Sequence, residues 1–164
     1  MGTIVALNGG STQYLGYAIS ENFNGIYARL KTGPVISVDN KMLMGISHNQ
    51  ALLQYMITNP PNFADLSYRT LLNTLSFLND IEKFRRSLIL MITISGEIFV
   101  WDQGDLHHID SSYMAVGQGK SLAMGCLFGT YVSDITPLGK IELALNAIHS
   151  NDPSISMTMG IEKI

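Results

Sequence analysis

The chain has 164 residues, enough for one domain with a substantial core. Its net charge is -3 and its pI is near 5.7, so we expect no nucleic-acid binding, which usually requires a basic face. Charged residues make up only 14% of the chain, against about 25% in typical soluble domains. Either uncharged polar residues or other subunits must cover such a surface. We favour other subunits, because the cores of interfaces are depleted of charge.

No apolar run approaches the ~20 residues that a membrane helix needs, so we expect no membrane partner. The first seven residues lack the basic region of a signal peptide. The single cysteine, Cys126, can form no internal disulfide and lies in a predicted apolar helix, which favours a small buried hydrophobe. These features predict a single cytoplasmic domain over residues 1–164.

The first half of the chain begins with strands and then changes to a helical period. Asn8-Gly9-Gly10 predicts a tight turn between the first two strands. We expect strands over residues 3–7, 12–20, 35–38 and 42–46, with a short segment over residues 26–30 between the second and third of these strands. A helix over residues 51–57 follows, with Ser47 or Asn49 as its cap. A longer amphipathic helix is predicted over Leu66–Arg86, with Asp65 as its cap.

The second half repeats the order of strands followed by helices. Residues 88–94 form a continuous apolar run, which is typical of a central strand covered on both faces. Further strands are expected over residues 97–101, 106–109, 113–116 and 155–159. Two helices precede the last strand, one after Gly119 and one beginning at Thr136-Pro137. This order predicts an α+β fold in which two sheets each carry helices on the outside.

Three segments together resemble proteasome β-type subunits and the bacterial HslV protease. Ala115-Val-Gly-Gln-Gly119, followed by a small-residue helix, a second helix and a strand, is similar to the second half of that family. Gly2-Thr-Ile-Val-Ala6 resembles its opening strand, and Asp39–Ser47 resembles the segment that leads into its first helix. The resemblance covers nearly the whole chain in order. It implies the four-layer α-β-β-α sandwich of N-terminal nucleophile (Ntn) hydrolases and assembly into homo-oligomeric rings.

The resemblance also implies an active site built on an N-terminal Thr, Ser or Cys, whose own α-amine acts as the base. The match of Ile4-Val5 to the family's Ile-Val places Gly2, which has no side chain, at the catalytic position. Loss of Met1-Gly2 would instead expose Thr3 as the nucleophile. Lys31 is the one lysine in register for the family's catalytic lysine. Thr3 and Lys31 are therefore the candidate catalytic residues of a processed, active form.

Two other groups that the family uses are replaced in this chain. The predicted second strand, residues 12–20, contains no carboxylate, whereas the family carries an Asp there. The family's Gly-Ser-Gly corner is Gly117-Gln118-Gly119. We therefore expect a catalytically inactive sandwich that assembles with itself or binds another protein. A threonine-type endopeptidase that uses Thr3 after trimming is the alternative.

A third hypothesis starts from Gly119-Lys120-Ser121, which matches the tail of a phosphate-binding loop and would make the chain a nucleotide-binding protein. The first glycine of that motif is missing, because Met114 stands in its place. His107 and His108 suggest a metal, but neighbouring strand residues point to opposite faces. The sequence therefore predicts no metal and no cofactor.

Overall fold

The computed structural model describes residues 2–20, 33–47, 49–151 and 157–164, which form two antiparallel sheets. The strands are β1 Gly2–Asn8, β2 Gln13–Ser20, β3 Val35–Val38, β4 Met42–Ser47, β5 Leu88–Thr93, β6 Ile98–Asp102, β7 Asp105–Ile109, β8 Tyr113–Gly117 and β9 Met157–Lys163. One sheet has the order β8-β1-β2-β9 and the other has the order β3-β4-β5-β6-β7. The predicted segment over residues 26–30 lies outside the described residues.

In the described ranges, four α-helices cover the outer faces of the two sheets. They are α1 Gln50–Thr58, α2 Tyr68–Leu75, α3 Lys120–Thr130 and α4 Pro137–Asn151. One apolar cluster joins α1 and α2 to the five-stranded sheet, a second lies between the sheets, and a third joins α3 and α4 to the four-stranded sheet. The predicted α+β, four-layer α-β-β-α sandwich is confirmed. Within the described ranges, no helix is both long and apolar enough to cross a membrane.

The alternation of side chains along β1 shows how one strand serves two cores. Ile4 and Ala6 face the other sheet, whereas Val5 and Leu7 pack beneath α3 and α4. Every residue from position 3 to position 7 is buried, because the strand lies between β8 and β2 and is covered on both faces.

The predicted helix over Leu66–Arg86 is wrong in its length. Helix α2 ends at Leu75, and two 3₁₀ turns, Ser76–Asn79 and Glu82–Phe84, continue the segment. The buried residues Leu78 and Phe84, with the half-buried Ile81 between them, recur every three positions, which is the 3₁₀ period.

The helix caps were predicted with mixed success. Asn49 caps α1, since its Oδ1 accepts the Leu52 amide at 2.9 Å. Ser67, rather than Asp65, caps α2 by accepting the Thr70 amide. Asp65 lies two residues earlier and accepts the Ser67 amide at 2.9 Å, and hydrogen bonding from Ser67 holds the pKa of that carboxyl below its usual value.

The two sheets approach each other closely at Gly45 in β4. A Cβ at this position would lie 2.7 Å from Ile4 Cγ2 and 2.8 Å from Leu15 Cδ2, both on the opposite sheet. Such distances are far shorter than a van der Waals contact, so the spacing of the sheets requires glycine here.

We expect Gly45→Ala to lower the free energy of unfolding by about 1–3 kcal/mol, because the added methyl overpacks the layer between the sheets. Urea denaturation followed by circular dichroism measures this change. The control is Ser37→Ala at an exposed position of β3, with an expected effect within about 0.5 kcal/mol. A Gly45→Ala protein that unfolds at the wild-type urea concentration would show that the sheets can move apart freely.

Candidate functional site

The site that the sequence analysis singled out is the glycine corner, Gly117-Gln118-Gly119, which joins β8 to α3. Gly117 has a φ of +102°, and a Cβ on it would collide with the carbonyl oxygen of Gly2. Only glycine fits both the backbone conformation and this approach. The corner is consequently held directly against the first two residues of β1, where the resemblance places the active site.

Two successive amides of the corner donate hydrogen bonds to β1. The Gly119 amide donates to Thr3 Oγ1 at 2.7 Å, and the Gln118 amide donates to the Gly2 carbonyl oxygen at 3.3 Å. The side chain of Thr3 lies inside the fold, and the residue is only 2% exposed. The hydroxyl of this candidate nucleophile therefore serves as an acceptor that fixes the corner.

The same bonds bear on the nucleotide hypothesis. Helix α3 does begin at Lys120, as a phosphate loop requires. However, a phosphate loop presents its successive backbone N–H groups to the ligand. Here the amides of Gln118 and Gly119 are already bonded within the chain. Together with Met114 at the position of the missing glycine, this geometry does not favour nucleotide binding.

The neighbouring strand supplies no acid to the site. Gly2 pairs with Ile19 and Thr3 pairs with Ala18, and no residue of β2 carries a carboxylate. Lys31, the second candidate catalytic residue, lies outside the described residues, so its proximity to Thr3 stays a prediction. Of the two candidates, the structure places only Thr3 at the corner.

A cleft of about 580 Å³ opens between the sheets beside this corner. Its apolar wall includes Val100, Ile109 and Val116. Its polar lining is Asp102, His107, Gln118 and Lys120. The sequence analysis did not bring these polar residues together, because they come from β6, β7, the glycine corner and the start of α3. The signal that could have placed His107 there is its alternation with Ile109 on the inner face of a strand.

The two adjacent histidines point to opposite faces, as predicted. His107 lines the cleft, whereas the ring of His108 stacks on Phe99 at 4.9 Å and its Nε2 lies 3.9 Å from Glu97. In the part of the chain that the structure describes, no group of three His, Cys, Asp or Glu residues could hold a metal ion.

Solved structures with the same fold match nearly the whole chain. Eukaryotic HslV from Trypanosoma brucei has a TM-score of 0.73 at 13% identity, covering 98% of each chain. Thiobacillus denitrificans BPH has a TM-score of 0.73 at 13% identity, covering 99% of this chain and 97% of that one. The complex of that protein with epoxomicin has a TM-score of 0.73 at 14% identity, with the same coverage. A scan against protein-family models and a search of curated proteins find no match.

These likenesses confirm the fold that the three sequence segments predicted. The chain has the architecture of HslV and proteasome-type Ntn hydrolases over nearly its full length.

We expect Thr3→Val to destabilise the fold by about 1–3 kcal/mol, because it leaves the partly buried Gly119 amide without an acceptor. Equilibrium unfolding in urea measures the loss. Thr3→Ser is the matched control, since it keeps the hydroxyl and removes only a methyl group, at a cost of about 1 kcal/mol. Equal stability of Thr3→Val and the wild type would mean that this hydrogen bond contributes nothing to the fold.

Proposed function

We propose that this chain is a proteasome-subunit-like protein without peptidase activity, which acts by assembling with copies of itself. The observation that carries the proposal is the hydrogen bond from the Gly119 amide to the buried hydroxyl of Thr3. Glycine at position 2 supports it, because the position that the resemblance assigns to the nucleophile bears no hydroxyl or thiol.

Nucleophilic attack requires a hydroxyl that the substrate can reach and a base that removes its proton. Thr3 meets the first condition poorly, since the residue is buried and its oxygen accepts the Gly119 amide. Use of its own amine as the base would require cleavage of the Gly2–Thr3 bond. That cleavage would also remove the Gly2 carbonyl, which accepts the Gln118 amide. Activation would thus dismantle part of the corner that positions the site.

Support for assembly comes from the surface and from the sheet edges. Charged residues are scarce, at 14% of the chain, so an isolated surface has few groups to keep it soluble. The end strands β8, β9, β3 and β7 each pair on one side only within the described structure. Unprotected edges invite uncontrolled pairing, and closed assemblies of the kind that the resemblance implies can cover them.

We expect the purified protein to hydrolyse no unstructured peptide and to gain no mass when it is incubated with epoxomicin, which is bound in one of the similar structures. The reason is the lack of an accessible hydroxyl at Gly2 and Thr3. Fluorogenic peptide assays and intact-mass spectrometry test this expectation. A mass increase by one epoxomicin that disappears in Thr3→Ala would instead establish the threonine-type endopeptidase, and the starting mass would reveal whether Met1-Gly2 had been removed.

We expect the protein to elute as a homo-oligomer in size-exclusion chromatography coupled to light scattering, because its sparsely charged surface favours contact between copies. The measurement is made at low salt and at tens of micromolar protein. A single species at the 18.0 kDa mass of one chain would contradict the assembly.

A further inference from the structure

The cleft beside the glycine corner lies on a different face of the sheet from the hydroxyl that a peptidase would use. Along β1, Thr3 shares its face with Val5 and Leu7, which pack beneath α3 and α4. The cleft opens between the two sheets instead, and its walls come from strands β5 to β8, the corner and the start of α3. A ligand in this cleft would therefore not lie against the side chain of Thr3.

Two buried valines lie at the same level on the two walls of the cleft. Ile4 of one sheet lies against Gly45 of the other, so these two residues mark a common level. Val116 is the strand partner of Ile4, and Val100 lies in the cross-strand row of Gly45, two strands away. The valines are 3% and 5% exposed, respectively, and they form the apolar middle of the cleft.

From this middle the cleft becomes polar towards the corner and stays apolar in the other direction. Asp102 and Gln118 each lie two residues beyond the valine of their own wall, and Lys120 follows at the start of α3. Met114 lies two residues before the valine of its wall, and Ile109 lies at the same level on the other wall. The cleft is therefore amphipathic along the direction of the strands.

The polar end carries two opposite charges that do not pair with each other. Asp102 belongs to one wall and Lys120 to the other. Among the residues that the structure describes, the one ion pair joins His108 to Glu97, and no hydrogen bond holds the Asp102 carboxylate or the Lys120 ammonium. A gap between facing charges of opposite sign fits a group that itself carries both charges.

We infer that this cleft binds a free α-amino acid with a large apolar side chain. The ammonium of the ligand donates to Asp102, and its carboxylate accepts from Lys120 and from the side-chain amide of Gln118. The apolar side chain of the ligand lies between Val100 and Val116. This inference goes beyond the proposed function and does not depend on self-assembly.

Ligands of other charge match the cleft less well. A simple anion such as a phosphate or a fatty acid would pair with Lys120 but would bring its negative charge towards Asp102. A simple amine would meet the reverse mismatch. An uncharged apolar ligand would displace water from both charged groups without replacing their hydrogen bonds, which costs free energy.

The size of the cleft agrees with a ligand of this class. Its volume of about 580 Å³ lies within the roughly 300–1,000 Å³ of typical small-molecule pockets. At about 30 Å³ for each water-sized group, the cleft holds roughly 20 such groups. An aromatic amino acid therefore fits inside and leaves room for water at the polar mouth.

The first test is a series of ligands titrated against the purified protein and followed by ligand-observed NMR. We expect L-phenylalanine to bind with a Kd of about 1 mM or tighter. Phenylpropionate lacks the ammonium and phenylethylamine lacks the carboxylate, so each should bind about tenfold more weakly. Glycine has both charges but no apolar side chain and should show no binding over the same range.

The second test removes each charge from the cleft. Lys120→Gln should weaken the binding of L-phenylalanine about tenfold without weakening that of phenylethylamine. Asp102→Asn should weaken the binding of L-phenylalanine by a similar factor without weakening that of phenylpropionate. Lys41→Gln and Asp134→Asn remove the same charges at exposed positions outside the cleft lining, and they should bind L-phenylalanine like the wild type.

Circular dichroism checks that each variant folds, and the ligand series decides alone if a cleft variant does not. Binding of L-phenylalanine that both cleft variants weaken and both controls keep supports the inference. No binding of L-phenylalanine, or wild-type binding by either cleft variant, overturns it. Phenylpropionate or phenylethylamine that binds as tightly as L-phenylalanine also overturns it, since the cleft would then recognise a single charge. The proposed function is judged separately, by the peptidase assays and the oligomeric mass.

Discussion

The hydrogen bond between the Gly119 amide and Thr3 Oγ1 joins two segments that are 116 residues apart in sequence. It fixes the start of β1 against the corner from which α3 begins, and so determines where α3 lies on the sheet. Gly117 makes the approach possible, since any side chain there would collide with Gly2. The corner, the mouth of the cleft and the start of α3 all lie at this contact, next to the ladder that pairs β1 with β8.

A working Ntn hydrolase must leave the hydroxyl of its nucleophile available for chemistry. In this chain the Thr3 hydroxyl at the corner is buried and bonded, and the strand beside it offers Ala18 and Ile19 rather than an acid. Polar groups that are satisfied inside a fold contribute to its stability, whereas reactive groups commonly cost stability. The hydrogen bonds at the corner therefore have a structural role, which agrees with the proposed loss of peptidase activity.

Local patterns in the sequence were sufficient for the architecture. The Asn8-Gly9-Gly10 turn, the continuous apolar run at residues 88–94 and Pro137 at the start of α4 each specify an element by themselves. The helix predicted beyond Leu75 was wrong, because apolar residues spaced three apart fit a 3₁₀ turn as well as an α-helix. The site could not be predicted in detail, because Thr3 is bonded by a backbone amide, which leaves no mark in the sequence. The cleft residues Asp102, His107 and Lys120 likewise meet only through the stacking of two sheets.

The central position of β1 has a mechanical consequence. Its residues pair with β2 along one side, from Gly2 to Asn8, and with β8 along the other, from Thr3 to Leu7. Tension applied at Gly2 along the strand is therefore shared by the hydrogen bonds of two ladders, which must break together. At the end of a hairpin that is pulled open, the hydrogen bonds break one after another instead. The N-terminal end of this sandwich is thus a strong point of attachment, and a load placed there is carried directly into the middle of the fold.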